Sequence, residues 1–140
     1  MERFKLPVAV LLILKKEEKV YLQLRKNSSF SDQYCFIAGH LEKDEGLKEG
    51  MIREAKEEVG ININPEDLEM RLILYDKREN GYMQVYFECH HWQGSIHNCE
   101  PDKCHEIILM DWNNIPENVP DFIKEAINAI NKKITLVEMV

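Results

Sequence analysis

Blocks of apolar residues with period two or period 3.6 alternate with short polar joints along this chain. Phe4 to Leu14 is rich in Val, Leu and Ile and reads as a strand buried on both faces. Lys15 to Lys19 is a charged turn. Val20, Leu22 and Leu24 then fall on one face of a half-buried strand over Val20 to Arg25. After a polar loop from Asn27 to Gln33, Tyr34 to Ala38 is a short apolar strand that runs into Gly39. In Leu47 to Val59 the period changes. Met51, Ile52, Ala55 and Val59 gather on one side of a helix, and Gly60 is placed to end it in a left-handed conformation. Asn64-Pro65 marks a turn. Leu68 to Tyr75 and Tyr82 to Trp92 read as two strands joined at Asn80-Gly81. Gln93-Gly94-Ser95 is a turn, His97 to Lys103 is irregular and polar, and Glu106 to Met110 is a last short strand. Val119 to Lys132 is a second helix, with Phe122, Ile123, Ala126, Ile127 and Ile130 as its apolar stripe and Asp121 a candidate for its N-terminal cap.

Strands, a helix, more strands and a final helix predict an α/β fold with a mixed sheet between helices on opposite faces. No internal repeat, linker or low-complexity tract divides the chain, so a single domain over residues 1–140 is expected. The apolar tail, Ile134 to Val140, is open to three readings: packing on the sheet, pairing as an edge strand, or a dimer contact, against a frayed end.

Composition narrows the function classes. Hydrophobic residues make up 44% and charged residues 31%, which is ordinary for a soluble globular domain. No stretch approaches the roughly 20 apolar residues of a membrane span, and the N-terminus does not read as a signal peptide, so no membrane partner and a cytoplasmic location are expected. The formal net charge of −7, with no basic stripe, argues against nucleic acid as a partner. Cys35 and Cys89 lie in apolar strands and read as buried thiols, and reduced cysteines are expected throughout.

Acidic residues concentrate between Glu42 and Glu58. At about 100° per residue, Glu54, Glu57 and Glu58 share one helix face. Like charges so placed repel, and a divalent cation with a taste for oxygen ligands would offset the repulsion. A solvated acidic helix face has the same spacing, so these three residues alone leave both readings open.

The flanking residues add to them. Gly39 to Ile61 reads Gly, five residues, Glu45, seven residues, then Arg53-Glu54-Ala55-Lys56-Glu57-Glu58-Val59-Gly60-Ile61. This resembles the box of the Nudix (MutT-like) hydrolase family, with every fixed position filled. The resemblance implies a Nudix-type α/β/α sandwich with a mixed central sheet and a loop-helix-loop metal site. It implies Mg²⁺, or Mn²⁺, held by Glu54, Glu57 and Glu58, with Glu54 or Glu57 also helping to activate water. It pairs Glu45 with Arg53 as a brace and makes Gly39 and Gly60 positions of backbone need. The implied reaction is hydrolysis of a diphosphate linkage in a nucleotide-type small molecule. The entry to the box departs from the family's frequent Pro-Gly-Gly, since Ile37-Ala38-Gly39 stands there.

A base outside the box is expected, with Glu106 the first candidate and Glu100 the second. Glu100-Pro101-Asp102-Lys103-Cys104, followed by a strand and by Trp112, Ile115 and Pro116, resembles a MutT-like branch that includes nucleoside triphosphate diphosphatases and homodimers. That favours a nucleoside triphosphate, normal or oxidised, over ADP-ribose, coenzyme A or dinucleoside polyphosphates. A non-catalytic ligand-sensing domain is the reading from another class, and the intact glutamates oppose it. A zinc site from His97, Cys99, Cys104 and His105 lacks a second close Cys pair. Among Tyr34, Phe36, Tyr75, Tyr86, Phe87, Trp92 and Trp112, sequence does not say which faces a ligand.

Overall fold

The computed structural model describes residues 2–78 and 81–140. Its elements are β1 (Val8–Lys16), β2 (Lys19–Arg25), β3 (Tyr34–Cys35), β4 (Ile37–His40), α1 (Leu47–Val59), a 3₁₀ turn (Pro65–Asp67), β5 (Glu69–Asp76), β6 (Tyr82–Cys89), β7 (Cys104–Asp111), α2 (Asp121–Asn131) and β8 (Leu136–Met139). Central β1 runs parallel to β6 and antiparallel to β4 and β2. Outward from β6 come β5, antiparallel, and β8, parallel to β5. Strand β2 carries β3 on one edge and β7 on the other. The sheet is therefore mixed.

The alternation in β1 assigns its two faces. Ala9, Leu11 and Ile13 join the core that includes Phe122, Ile123, Ala126 and Ile130 of α2. Val10, Leu12 and Leu14 join the core that includes Met51, Ala55 and Val59 of α1. The helices thus cover opposite faces, as a strand buried on both sides requires. Among the described residues no helix is long and apolar enough to cross a membrane.

Several boundaries differ from the sequence reading, each for a local reason. Strand β1 begins after Pro7, which has no N–H to give the ladder, and Phe4 is exposed. At its other end Lys16 pairs with Lys19, so the hairpin turn is only Glu17-Glu18, with Glu17 at a φ of 59°. Strand β6 stops at Cys89, and an isolated bridge between Asn62 and Gln93 follows. Helix α2 starts at Asp121 behind Pro120, whose ψ of 151° is extended. Asp121 makes no side-chain cap; its carboxylate takes the Arg78 guanidinium instead. Asn80 of the expected Asn80-Gly81 turn lies outside the described residues. The tail pairs as an edge strand, one of the three open readings.

Leu12 is fully buried between β1 and α1, whereas Leu136 on β8 is exposed. Leu12→Ala is expected to lower unfolding free energy by about 3 kcal/mol, and Leu136→Ala to stay within about 0.5 kcal/mol of the parent. Urea titration of both variants checks this, and equal losses would contradict the two-layer core.

Candidate active site

Strand β4 ends at His40, a polar loop follows, and α1 opens at Leu47. The Glu49 carboxylate accepts from the Gly46 N–H at 3.1 Å, satisfying one donor at the helix start. At the other end Gly60 adopts a φ of 74°, as its place in the sequence predicted. The α1 carbonyls there do not fray into solvent. His97 N–H donates to Val59 O and Cys99 N–H to Glu58 O, both at 3.1 Å. The His97 ring lies so close over Gly60 that a Cβ at that position would meet it. These bonds dock residues 97–100 on the end of α1 and bring Glu100 to the helix carboxylates.

One guanidinium organises the loop and the helix. Arg53 Nε donates to Glu45 Oε2 at 2.6 Å and Nη2 to Glu45 Oε1 at 3.0 Å, a two-pronged pair. Nη2 also reaches the His40 carbonyl at 3.1 Å, and Nη1 reaches Glu54 at 2.8 Å and Glu57 at 3.3 Å. Glu45 accepts the Glu42 N–H as well, at 3.0 Å. Arg53 holds the Glu45 carboxyl down to about 2.

The three helix glutamates share a face but not an environment. Their side chains are 14% (Glu54), 56% (Glu57) and 6% (Glu58) exposed. Glu54 lies over Gly39, where an added Cβ would collide with its carboxylate. Gly39 is therefore a position of close approach. Burial raises the Glu54 pKa, with Glu57 and Glu100 adding to it against the pull of Arg53. In Glu58, burial and then the charges of Glu54 and Glu100 push the pKa up to about 8. Its Oε2 has no hydrogen-bond partner among the described residues, and Arg25 Nη1 stands 3.9 Å from Oε1.

Glu54, Glu58 and Glu100 thus repel one another at the edge of the core. Among the described residues no group of His, Cys, Asp or Glu is gathered as a ready cation cage. Arg53 draws Glu54 and Glu57 to itself. The donor set still fits a hard divalent cation: it offers only oxygens, their charge is poorly compensated, and one buried oxygen is unpartnered. Glu106, the first candidate outside the box, is exposed on β7 opposite Leu24. Glu100, the second, is the one close enough to raise both Glu54 and Glu58. Of the zinc candidates, Cys99 is exposed while the buried Cys104 thiol donates to the Glu106 carbonyl. The four cysteines are free.

A cavity of about 720 Å³ opens beside these carboxylates. Gly39 and Arg25 belong to its lining, as do the rings of Phe30, Phe36, Tyr82 and Phe122. Phe36 was among the aromatic candidates; Tyr86 and Trp112 share its core but do not line the cavity. Arg25, Phe30, Tyr82 and Phe122 were missed. Arg25 looks in sequence like the end of a strand, and Phe30 and Phe122 come from a loop and a helix far apart in the chain. Phe30 meets Phe122 edge-on at 5.3 Å between ring centres.

A polar brace across a loop and helix, carboxylates on that helix and an adjacent cavity accord with a hydrolase of phosphoric anhydrides. The model of the NUDIX domain matches residues 4–130, and the chain belongs to the Nudix family of hydrolases. Similar solved structures include a MutT NUDIX hydrolase from Burkholderia pseudomallei, 15% identical, with a TM-score of 0.81 over 89% of this chain and 98% of that one. A MutT protein from Methanosarcina mazei Go1 is 18% identical, with a TM-score of 0.78 over 94% and 98% of the two chains. A UDP-X diphosphatase is 12% identical, with a TM-score of 0.69 over 100% of this chain and 70% of that one. Nudix hydrolases act on nucleotide-type small molecules and generally use divalent cations.

Because the folded protein holds the Glu58 proton more tightly than an unfolded chain, the contribution of this group to stability falls as pH rises from 4.5 towards about 8. In chelator, Glu58→Gln is expected to raise Tm at pH 8 by about 2–5 °C and to change it little at pH 5. Thermal melts at the two pH values test this. A Tm lowered equally at both would show that the buried carboxyl carries no ionisation burden.

Proposed function

We propose that this protein hydrolyses a nucleoside triphosphate, normal or oxidised, to a monophosphate and diphosphate, with Mg²⁺ as its cofactor and Mn²⁺ as a substitute. The observation that carries this reading is the group of mutually repelling, part-buried carboxylates Glu54, Glu58 and Glu100 beside the 720 Å³ cavity. Glu54, Glu57 and Glu58 would hold the cation. When bound, it supplies neutralisation of the polyphosphate's charge and acidification of water. Water oxygen bonds to phosphorus, the bridging P–O bond breaks, and the diphosphate departs with the bond's electrons. Glu100 is assigned the role of accepting the water's proton, in place of Glu106, because of its coupling to Glu54 and Glu58. Arg25, at the junction of cavity and carboxylates, is placed to meet a phosphate. Arg53 acts as a positioning residue through Glu45 and Glu54.

A second reading keeps the chemistry and exchanges the terminal phosphates for another group on a nucleoside diphosphate. The similarity to a UDP-X diphosphatase over the whole of this chain favours its consideration. The products distinguish the two: a triphosphate yields diphosphate, whereas a nucleoside diphosphate linked to another group yields two monophosphates.

A nucleotide panel assayed with Mg²⁺ and product identification is expected to show a monophosphate and diphosphate from at least one triphosphate. Inactivity on every triphosphate would remove this substrate class. Glu57→Gln is expected to abolish cation-dependent turnover with the circular dichroism spectrum unchanged, and a normal rate would sink the assignment of the helix glutamates.

Glu100→Gln should lower kcat by about 10²-fold or more. Glu106→Gln should leave kcat within about threefold. The reverse ranking would return the role to Glu106.

A further inference from the structure

Gln84 is fully buried in β6 and lines the cavity. A polar side chain so placed is costly unless it is hydrogen-bonded. Tyr86 Oη lies 2.5 Å from Gln84 Oε1. The tyrosine decides which way the amide faces. Tyr86 is also fully buried, and its hydroxyl proton goes to Gln84. Turning the amide over would leave that proton without an acceptor. Oε1 therefore accepts from Tyr86, and Nε2 has no partner among the described residues. Tyr82 stands near enough for the amide to influence its hydroxyl, yet it makes no hydrogen bond to Nε2.

An acceptor shares the same side of the sheet. Leu74 pairs with Gln84 and Asp76 with Tyr82, so Asp76 and Gln84 are diagonal neighbours on β5 and β6, about 7–8 Å apart. The buried Asp76 carboxylate is kept ionised by Arg78, whose Nε and Nη2 each reach it at 2.9 Å. The Arg78 backbone N–H adds a third bond at 3.0 Å, so Oδ1 takes two and Oδ2 one, which leaves acceptor capacity on Oδ2. Leu11, Phe36 and Phe122 supply apolar wall. An unmet donor, a charged acceptor and aromatic walls suit a flat heteroaromatic ring.

We propose that Gln84 reads the base of the substrate, its Nε2 donating to a ring carbonyl or ring nitrogen while Asp76 accepts from an N–H on the same edge. This rests on the nucleotide reading above and adds a selection: the cavity takes the base, whose flat face can lie on the Leu11, Phe36 and Phe122 wall while its polar edge meets Nε2, whereas a sugar presents no such face.

The test uses non-reacting ligands, so it does not depend on turnover. Binding of guanosine, adenosine, uridine and cytidine 5′-monophosphates, and of ribose 5-phosphate, is measured by calorimetry on the full chain. At least one base-bearing ligand should bind about tenfold or more tighter than ribose 5-phosphate. Gln84→Met, similar in size but without a donor, should cut that advantage to about threefold or less. Equal binding of the preferred monophosphate by Gln84→Met and parent would overturn the proposal, as would a parent that binds no base better than ribose 5-phosphate. Should Gln84→Met fail to fold, Tyr86→Phe carries the test. Freeing the amide to turn should alter the ranking of the bases by threefold or more, and an unchanged ranking overturns the proposal. Triphosphate turnover with Gln84-independent binding removes this role and leaves the reaction; Gln84-dependent binding without turnover does the reverse.

Discussion

The Arg53 guanidinium is the interaction on which the site depends. It joins the end of β4 through the His40 carbonyl, the loop through Glu45, and its own helix through Glu54 and Glu57. A charged group with this many partners is hard to replace. Lysine would lose the planar fork that meets both oxygens of Glu45. Removal would leave Glu45, largely buried, without its cation, and would free Glu54 from its place over Gly39. The brace thus links backbone geometry at Gly39 to carboxylate geometry on α1, although Arg53 is not itself part of the cavity lining.

That linkage explains why the site glutamates differ. Repulsion among Glu54, Glu58 and Glu100 is held in place by packing: Val59 and Ala55 anchor α1 on the sheet, and residues 97–100 are tied to its terminal carbonyls. Arg53 relieves Glu54 and Glu57, and the more distant Arg25 gives Glu58 only partial relief. Sites of function commonly keep such unfavourable arrangements at the expense of stability.

Legibility in the sequence followed how local each cause is. The bounds of α1 were readable because its apolar period lies within it and Gly60 directly follows its last residue. The two-faced burial of β1 was readable from an unbroken apolar run. The box residues were readable through spacing and resemblance, but their burial was not, since Glu57 and Glu58 are neighbours with opposite exposure. Glu106 ranked above Glu100 because it adjoins a strand. The docking of His97 and Cys99 on α1 carbonyls, which places Glu100, involves backbone groups that carry no side-chain pattern. The parallel pairing of β8 with β5 joins segments too distant for any local period to reveal.

The two ends of the cavity follow opposite electrostatic logic. Beside Gly39, anionic oxygens outnumber nearby cations, and a ligand must bring positive charge or arrive with it. Beside α2, the acids are already answered: Arg78 bridges Asp76 and Asp121. What remains open there is one neutral amide donor with a shared carboxylate acceptor. A polyphosphate alone could meet the first end once a cation was bound, and would leave the second unpaired. A base alone could meet the second and leave the carboxylates repelling. A nucleotide satisfies both, so the combination, and not either end by itself, makes the arrangement selective.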